Sequence, residues 1–110
     1  MEMRYRLWLE NSQGDQLMGD GLLLLLTTIK KNGSINKAAQ ELGMSYRAAW
    51  SKLNRAEKRL GYLLVVRQSG GKDGGGTVMT PEGETLLKKY TELTKRAEIE
   101  LARIFKETFS

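Results

Sequence analysis

Cysteine and histidine are both absent from this chain of 110 residues. Without cysteine there is no disulfide framework and no thiolate metal site; without histidine the commonest general base and metal ligand near neutral pH is missing. No catalytic residue, metal site or cofactor is expected, and the chain does not read as an enzyme. A long apolar run is also lacking. Leu22 to Leu26 continues through Thr27, Thr28 and Ile29 only as far as Lys30 and Lys31, well short of the roughly 20 residues that span a bilayer. This segment predicts a buried helix and no membrane partner. The opening MEMRYR carries charges of both signs and no apolar secretory core, so a cytoplasmic protein is expected.

The length suits one domain, with room for a long helix or arm besides. Hydrophobic residues make up 40% of the chain, which fits a folded protein. The formal net charge of +5 is unevenly spread. Between Lys30 and Lys72 there are ten basic residues and only two acidic ones, Glu41 and Glu57. A positive middle of this kind is the electrostatic footprint of a polyanion partner, although a solvated basic face has the same composition.

Periodicity divides the chain into elements. Tyr5, Leu7 and Leu9 alternate with Arg4, Arg6 and Trp8, which predicts a strand with one buried face. Asn11 to Asp15 turns it, and Leu17 and Met18 suggest a short return strand. Asp20 is placed to cap a helix in which Leu22, Leu25, Leu26 and Ile29 share one face. Leu23 and Leu24 make its flanks apolar, so cover on more than one side is expected; Gly33 supplies the stop. Ser34 caps a second helix carrying Ile35, Ala38, Ala39 and Leu42, which Gly43 ends. Ser45 caps a third. There Ala49, Leu53, Ala56 and Leu60 form one stripe, while Arg47, Ser51, Asn54 and Lys58 lie opposite, with Lys52 and Arg55 on the flank. Two short helices joined by Gly43-Met44-Ser45, with alanines where they approach, have the helix-turn-helix arrangement, although any helical hairpin could look similar. The exposed face of the third helix offers donors to guanine edges and phosphates.

Leu63 to Arg67 and Thr77 to Thr80 are β-prone and flank RQSGGKDGGGTVMTP, with five glycines in the seven positions from Gly70 to Gly76. A phosphate-binding P-loop fails because Asp73 follows Lys72 where Ser or Thr is needed, and a strand, not a helix, comes after. A dinucleotide fingerprint fails because Met79 stands where a third glycine belongs. A linker fits poorly between runs that alternate as paired strands do. The stretch is read as a wing beside the recognition helix, with backbone N–H groups against phosphate or minor groove and Lys72 supplying charge. Thr80-Pro81-Glu82 then opens a helix. Leu86, Tyr90, Leu93, Ala97, Leu101 and Ile104 repeat near 3.6 residues along it, over a length close to 40 Å. So small a core does not cover this stripe, and a dimer contact through those residues is expected, with folding back over the leucine-rich helix as the other use of the stripe.

The order strand, helix, helix-turn-helix, winged hairpin, long helix resembles the N-terminal domain of LysR-type regulators. GMSYRAAW, GGKDGGGTVMT and TPEG resemble, respectively, the recognition-helix start, glycine wing and linker-helix opening of ModE-type molybdate-responsive regulators. The resemblance covers nearly the whole chain. It implies a mainly α fold with a small β-hairpin (α+β): a winged helix-turn-helix over residues 1–80 and a long C-terminal dimerisation helix over 81–110. It also implies a dimer on operator DNA and a link to molybdate metabolism through a partner. The molbindin-like sensor domains of that family have no counterpart in these residues, so no small-molecule effector site is expected within them. Asp73 departs from the small residue anticipated at that point of the wing.

The function expected is sequence-specific binding of double-stranded DNA by a homodimeric transcriptional regulator. Arg47 is the leading base reader. Tyr46 and Ser51 support it; Lys52, Arg55 and Lys72 contact phosphates. Ser34 and Ser45 cap helices and offer backbone N–H groups to phosphate. Trp50 lies on the shoulder between core and DNA faces, open to either role. The alternatives are a dimerisation module that regulates a full-length partner without selective DNA binding, and a molybdate binder in its own right.

Overall fold

The computed structural model describes residues 1–68 and 76–110. A short antiparallel hairpin opens the chain, β1 (Leu9–Glu10) against β2 (Gln16–Met18), with Leu9 opposite Met18. Asn11 closes the turn: its Oδ1 accepts from the backbone N–H groups of Gln13 at 3.0 Å and Asp15 at 2.9 Å, the local bonding that makes asparagine a turn residue. The alternation from Tyr5 predicts a longer strand. Only Leu9 and Glu10 join the ladder, because the return strand ends at Met18 and helix α1 (Asp20–Asn32) starts two residues later. Leu7 and Leu9 are half-buried and Tyr5 is exposed.

Two serines set the helix-turn-helix. Ser34 caps α2 (Ile35–Glu41), its hydroxyl accepting from Lys37 N at 3.1 Å; Ser45 caps α3 (Tyr46–Leu60), accepting from Ala48 N at 3.0 Å. Between them Gly43 adopts φ +68°, a left-handed conformation that costs a residue with Cβ about 1–2 kcal/mol. Ala38, Ala39 and Ala49 are fully buried, and their small side chains let α2 and α3 pack closely.

The wing is β3 (Val65–Arg67) antiparallel to β4 (Thr77–Met79), in the register Val65–Met79, Val66–Val78 and Arg67–Thr77. Thr77 N also donates to Gly33 O at 2.8 Å, which ties the wing base to the turn between α1 and α2. The glycine tip, with Lys72 and Asp73, lies outside the described residues. Last comes α4 (Pro81–Phe109), capped by Thr80 with Pro81 in its first turn.

Leu64 joins these parts. The buried Glu57 of α3 turns its carboxylate on the strand entry, where Oε2 accepts from Leu64 N at 2.7 Å and Val65 N at 3.3 Å. On the other side, Leu64 O accepts from Thr80 N at 2.9 Å, and the Thr80 hydroxyl donates to Leu63 O at 2.6 Å while accepting from Gly83 N at 2.9 Å. Gly83 is pressed so close that a Cβ there would lie 2.4 Å from Leu64 O. Recognition helix, wing and α4 therefore meet at one strand entry.

The core is built from Met18, Leu25, Leu26, Ile29, Leu53, Leu64 and Tyr90, each contributing on the order of 1.5–3 kcal/mol by leaving water. Leu22, Leu25, Leu26 and Ile29 are buried as their shared face requires. Three expectations are corrected. Asp20 is not the cap of α1; extended Gly19 takes that position without a side-chain bond, and Asp20 sits in the first turn, where its charge suits the positive helix end. Leu24 is 56% exposed, because the neighbours of α1 within this chain pack on its other faces. Tyr90, expected at a dimer contact, is 1% exposed, and its hydroxyl donates to Leu7 O at 2.9 Å. It holds the N-terminal segment to α4 inside the chain's own core, beside Leu87, and has no surface left for a second copy. Burial, with the Asp20 charge adding to it, raises the Tyr90 phenol above its ordinary pKa.

Replacing Glu57 with alanine strands two N–H groups and is expected to lower the unfolding free energy by about 2–3 kcal/mol. Glu57→Gln, which keeps an acceptor oxygen, is expected to lose less. Urea titration measures both, and an alanine variant as stable as the parent would show that these amides do not depend on Glu57.

Candidate nucleic-acid interface

The capped start of α3 decides what this helix shows to solvent. With Ala49, Leu53 and Ala56 turned into the core, the helical repeat leaves Tyr46, Arg47, Ser51, Asn54, Arg55 and Lys58 exposed. Arg47 and Ser51 are one turn apart on that row, in the first half of the helix. Ser34 and Ser45 both spend a lone pair on their own helices. Lys52 differs from its neighbours. It is half-buried and leans over α1, so close to Gly21 that a Cβ there would lie 2.9 Å from its Nζ. With Arg55, Arg59 and residues 16–19 it lines a cleft of about 160 Å³, and Arg59 Nη1 donates to Gln16 O at 3.1 Å across it.

Not every cation of the positive middle faces outward unpaired. Lys30 Nζ lies 2.8 Å from Glu84 and Lys31 Nζ 2.8 Å from Glu41. The Lys31 hydrogen bond, assisted by Asn32, holds the Glu41 carboxyl below the usual carboxylate range. These pairs are exposed and add little stability. Their effect is to engage two positive charges of the middle segment with acids, while Lys37 and the α3 cations Arg47, Arg55 and Lys58 stay exposed without an ion pair among the described residues.

The outer end of β3 meets the start of α3. Arg67, the last residue of β3, folds back onto α3: Nη2 donates to the Tyr46 hydroxyl, and its guanidinium carbon lies 5.0 Å from the Trp50 ring centroid and 5.9 Å from that of Tyr46. The two rings meet edge to face, with centroids 6.3 Å apart. Trp50 is half-buried and packs against the core. Its Nε1 is buried and has no hydrogen-bond partner among the described residues.

Sequence reading missed Arg67 and Arg59 as local contacts and Glu57 as a structural acceptor. The contact between Tyr46 and Arg67 crosses from helix to strand, where no helical or strand period signals it. The Tyr46–Trp50 spacing of one turn is the one sign that the sequence carries of an aromatic ledge there.

Residues 21–84 match the model of the bacterial regulatory helix-turn-helix protein, lysR family. The chain belongs to the lysR family. Within it, the chain is 44% identical over 73 residues to the molybdenum-pterin-binding protein MopB of Rhodobacter capsulatus, covering 66% of this chain and 27% of that protein. It is 39% identical over 71 residues to the DNA-binding transcriptional dual regulator ModE of Escherichia coli K12, covering 64% and 27%. The chain thus spans less than a third of the length of these relatives. Among solved structures, the DNA-binding domain of CbnR, crystallised as a complex with DNA, superposes with a TM-score of 0.63 at 20% identity, covering 83% of this chain and 99% of that one. At that identity the likeness shows the lysR-type winged helix fold alone, and it agrees with the mainly α architecture expected from the sequence.

Proposed function

We propose that this chain binds double-stranded DNA in a sequence-specific manner, as the DNA-binding part of a dimeric, cytoplasmic, non-enzymatic transcriptional regulator. The observation that carries this reading is the exposed row of Arg47, Ser51, Asn54 and Lys58 on a capped helix, with the wing base beside its first turn. A helix of this kind fits the major groove, where an arginine near its start reaches guanine O6 and N7 with two hydrogen bonds. Arg47 reads bases, Tyr46 and Ser51 support it, and Arg55, Lys52 and, from its place in the sequence, Lys72 meet phosphates. Ser34 and Ser45 hold the amide ends of α2 and α3 toward the backbone. The lysR-family match, the DNA-binding regulator ModE and the CbnR complex all support this reading. Among the described residues no helix is long and apolar enough to cross a membrane. A connection to molybdenum, present in the name of MopB, would run through a partner.

What the core leaves uncovered supports dimerisation. Beyond Tyr90, α4 carries Leu93 and Ile104 exposed and Ala97 and Leu101 half-buried, along a molecule 59 Å in its longest dimension. Together with half-buried Leu86 these form the stripe that a second copy would cover, placing two recognition helices in successive major grooves about 34 Å apart. The stripe equally suits the second reading, a module that pairs with another regulator.

On a duplex selected from a random pool, Arg47→Ala is expected to cost about 1–3 kcal/mol and to relax preference at one position. Arg55→Ala is expected to weaken every duplex alike and to lower the salt slope by about one. Binding titrations at several salt concentrations separate the two; a sequence-blind loss at Arg47 would remove it as a reader, and parent affinity equal for all duplexes would favour the partner-module reading.

Light scattering is expected to give twice the 12.4 kDa chain mass, with Leu101→Glu reduced to a single chain. A monomeric parent would overturn the dimer.

A further inference from the structure

Arg67 has no part in the interface as read so far, yet it links the outer end of β3 to the first residue of the recognition helix. A phenol has one proton to give and two lone pairs to accept with. At Tyr46 one lone pair is taken by Arg67 Nη2. A guanidinium has no acceptor, so the phenol proton cannot be returned to it and must point elsewhere. Tyr46 is the first residue of α3 and is 41% exposed. Its proton is therefore turned toward whatever lies against the first turn of the helix. Accepting a hydrogen bond from a cation also polarises the O–H bond and strengthens it as a donor.

The guanidinium is itself held in place. It lies over the Trp50 ring at 5.0 Å, within reach of cation–π attraction, while the bond to the Tyr46 hydroxyl keeps it at the edge of that ring. Trp50 is anchored against the core, and β3 is fixed by its ladder to β4. Arg67 thus approaches Tyr46 from a rigid side.

We infer that Arg67 is a positioning residue which, through its hydrogen bond to the Tyr46 hydroxyl and its seat on Trp50, makes Tyr46 a dedicated hydrogen-bond donor to an acceptor on duplex DNA. The inference rests on the DNA-binding reading above. The acceptor is either a backbone phosphate oxygen or an acceptor on a base edge, such as a purine N7 or thymine O4.

The test is a double-mutant cycle on the selected duplex at one salt concentration, with Tyr46→Phe, Arg67→Ala, the pair, and Arg67→Lys; each variant is first shown by its circular dichroism and melting temperature to be folded. Tyr46→Phe is expected to weaken binding about tenfold, the scale of one hydrogen bond to a charged or well-placed acceptor. Arg67→Ala is expected to cost clearly less in the Tyr46→Phe background than in the parent, and Arg67→Lys, which keeps a charged donor of similar reach, to recover part of the loss. A Tyr46→Phe loss of equal size on every duplex identifies a phosphate acceptor; a loss confined to one base-pair position identifies a base edge. Either supports the inference. An Arg67→Ala cost that is the same in both backgrounds, or a Tyr46→Phe variant that binds as the parent does, overturns it. The seat of Arg67 is also read without DNA. In a Trp8→Phe chain, where Trp50 is the remaining indole, Arg67→Ala is expected to increase acrylamide quenching of its emission, and unchanged quenching would contradict the geometry. Failure of the parent to bind any duplex would instead count against the DNA-binding reading while leaving that seat intact.

Discussion

The bonds made by the Leu64 backbone hold the functional parts in register. Its N–H is claimed by the Glu57 carboxylate from α3, its carbonyl by the Thr80 amide that opens α4, and Gly83 leaves room for that approach. A buried carboxylate is costly unless its oxygens are met by donors. Here the donors are the backbone groups that would otherwise be left without partners where the helix ends and the strand begins. One arrangement therefore satisfies both, and it fixes how the wing leaves the recognition helix and how α4 leaves the wing.

That geometry gives the charge pattern its meaning. Net charge alone describes solubility and non-specific attraction. What distinguishes α3 is that its apolar stripe is consumed by the core while its cationic row stays in solvent, with Arg67 bridging to the wing base. Lys30 and Lys31 contribute to the same positive middle but are engaged by Glu84 and Glu41. The surface is thus positive in total and selective in which cations it leaves free to act.

Much of this was legible in the residues because the signals are local. Ser34 and Ser45 as caps, Gly43 at the turn and Ala49, Leu53 and Ala56 as a buried stripe each follow from rules spanning a few positions. The errors fall where a distant element decides. Tyr90 continues the stripe of α4 perfectly well, and only the arrival of the N-terminal segment, with Leu7 O as acceptor, places it inside. The strand from Tyr5 is cut short by the length of its partner. Glu57 reads as an exposed helix acid until the entry to β3 folds beneath it, and Arg67 reads as one more positive charge until Tyr46 and Trp50 come within reach. Asp20 lost the cap to Gly19, a choice that helix-start rules do not separate when two adjacent residues both qualify.

The central claim is that α3 and the wing base form one surface for duplex DNA. Backbone amide shifts in a nitrogen–proton NMR spectrum, followed as the selected duplex is added, test it most directly. The largest changes are expected on residues 45–55 and on Arg67 and Gln68, with the half of α4 beyond Leu93 unmoved. Changes confined to α4 or to the β1–β2 hairpin, with α3 silent, would contradict it.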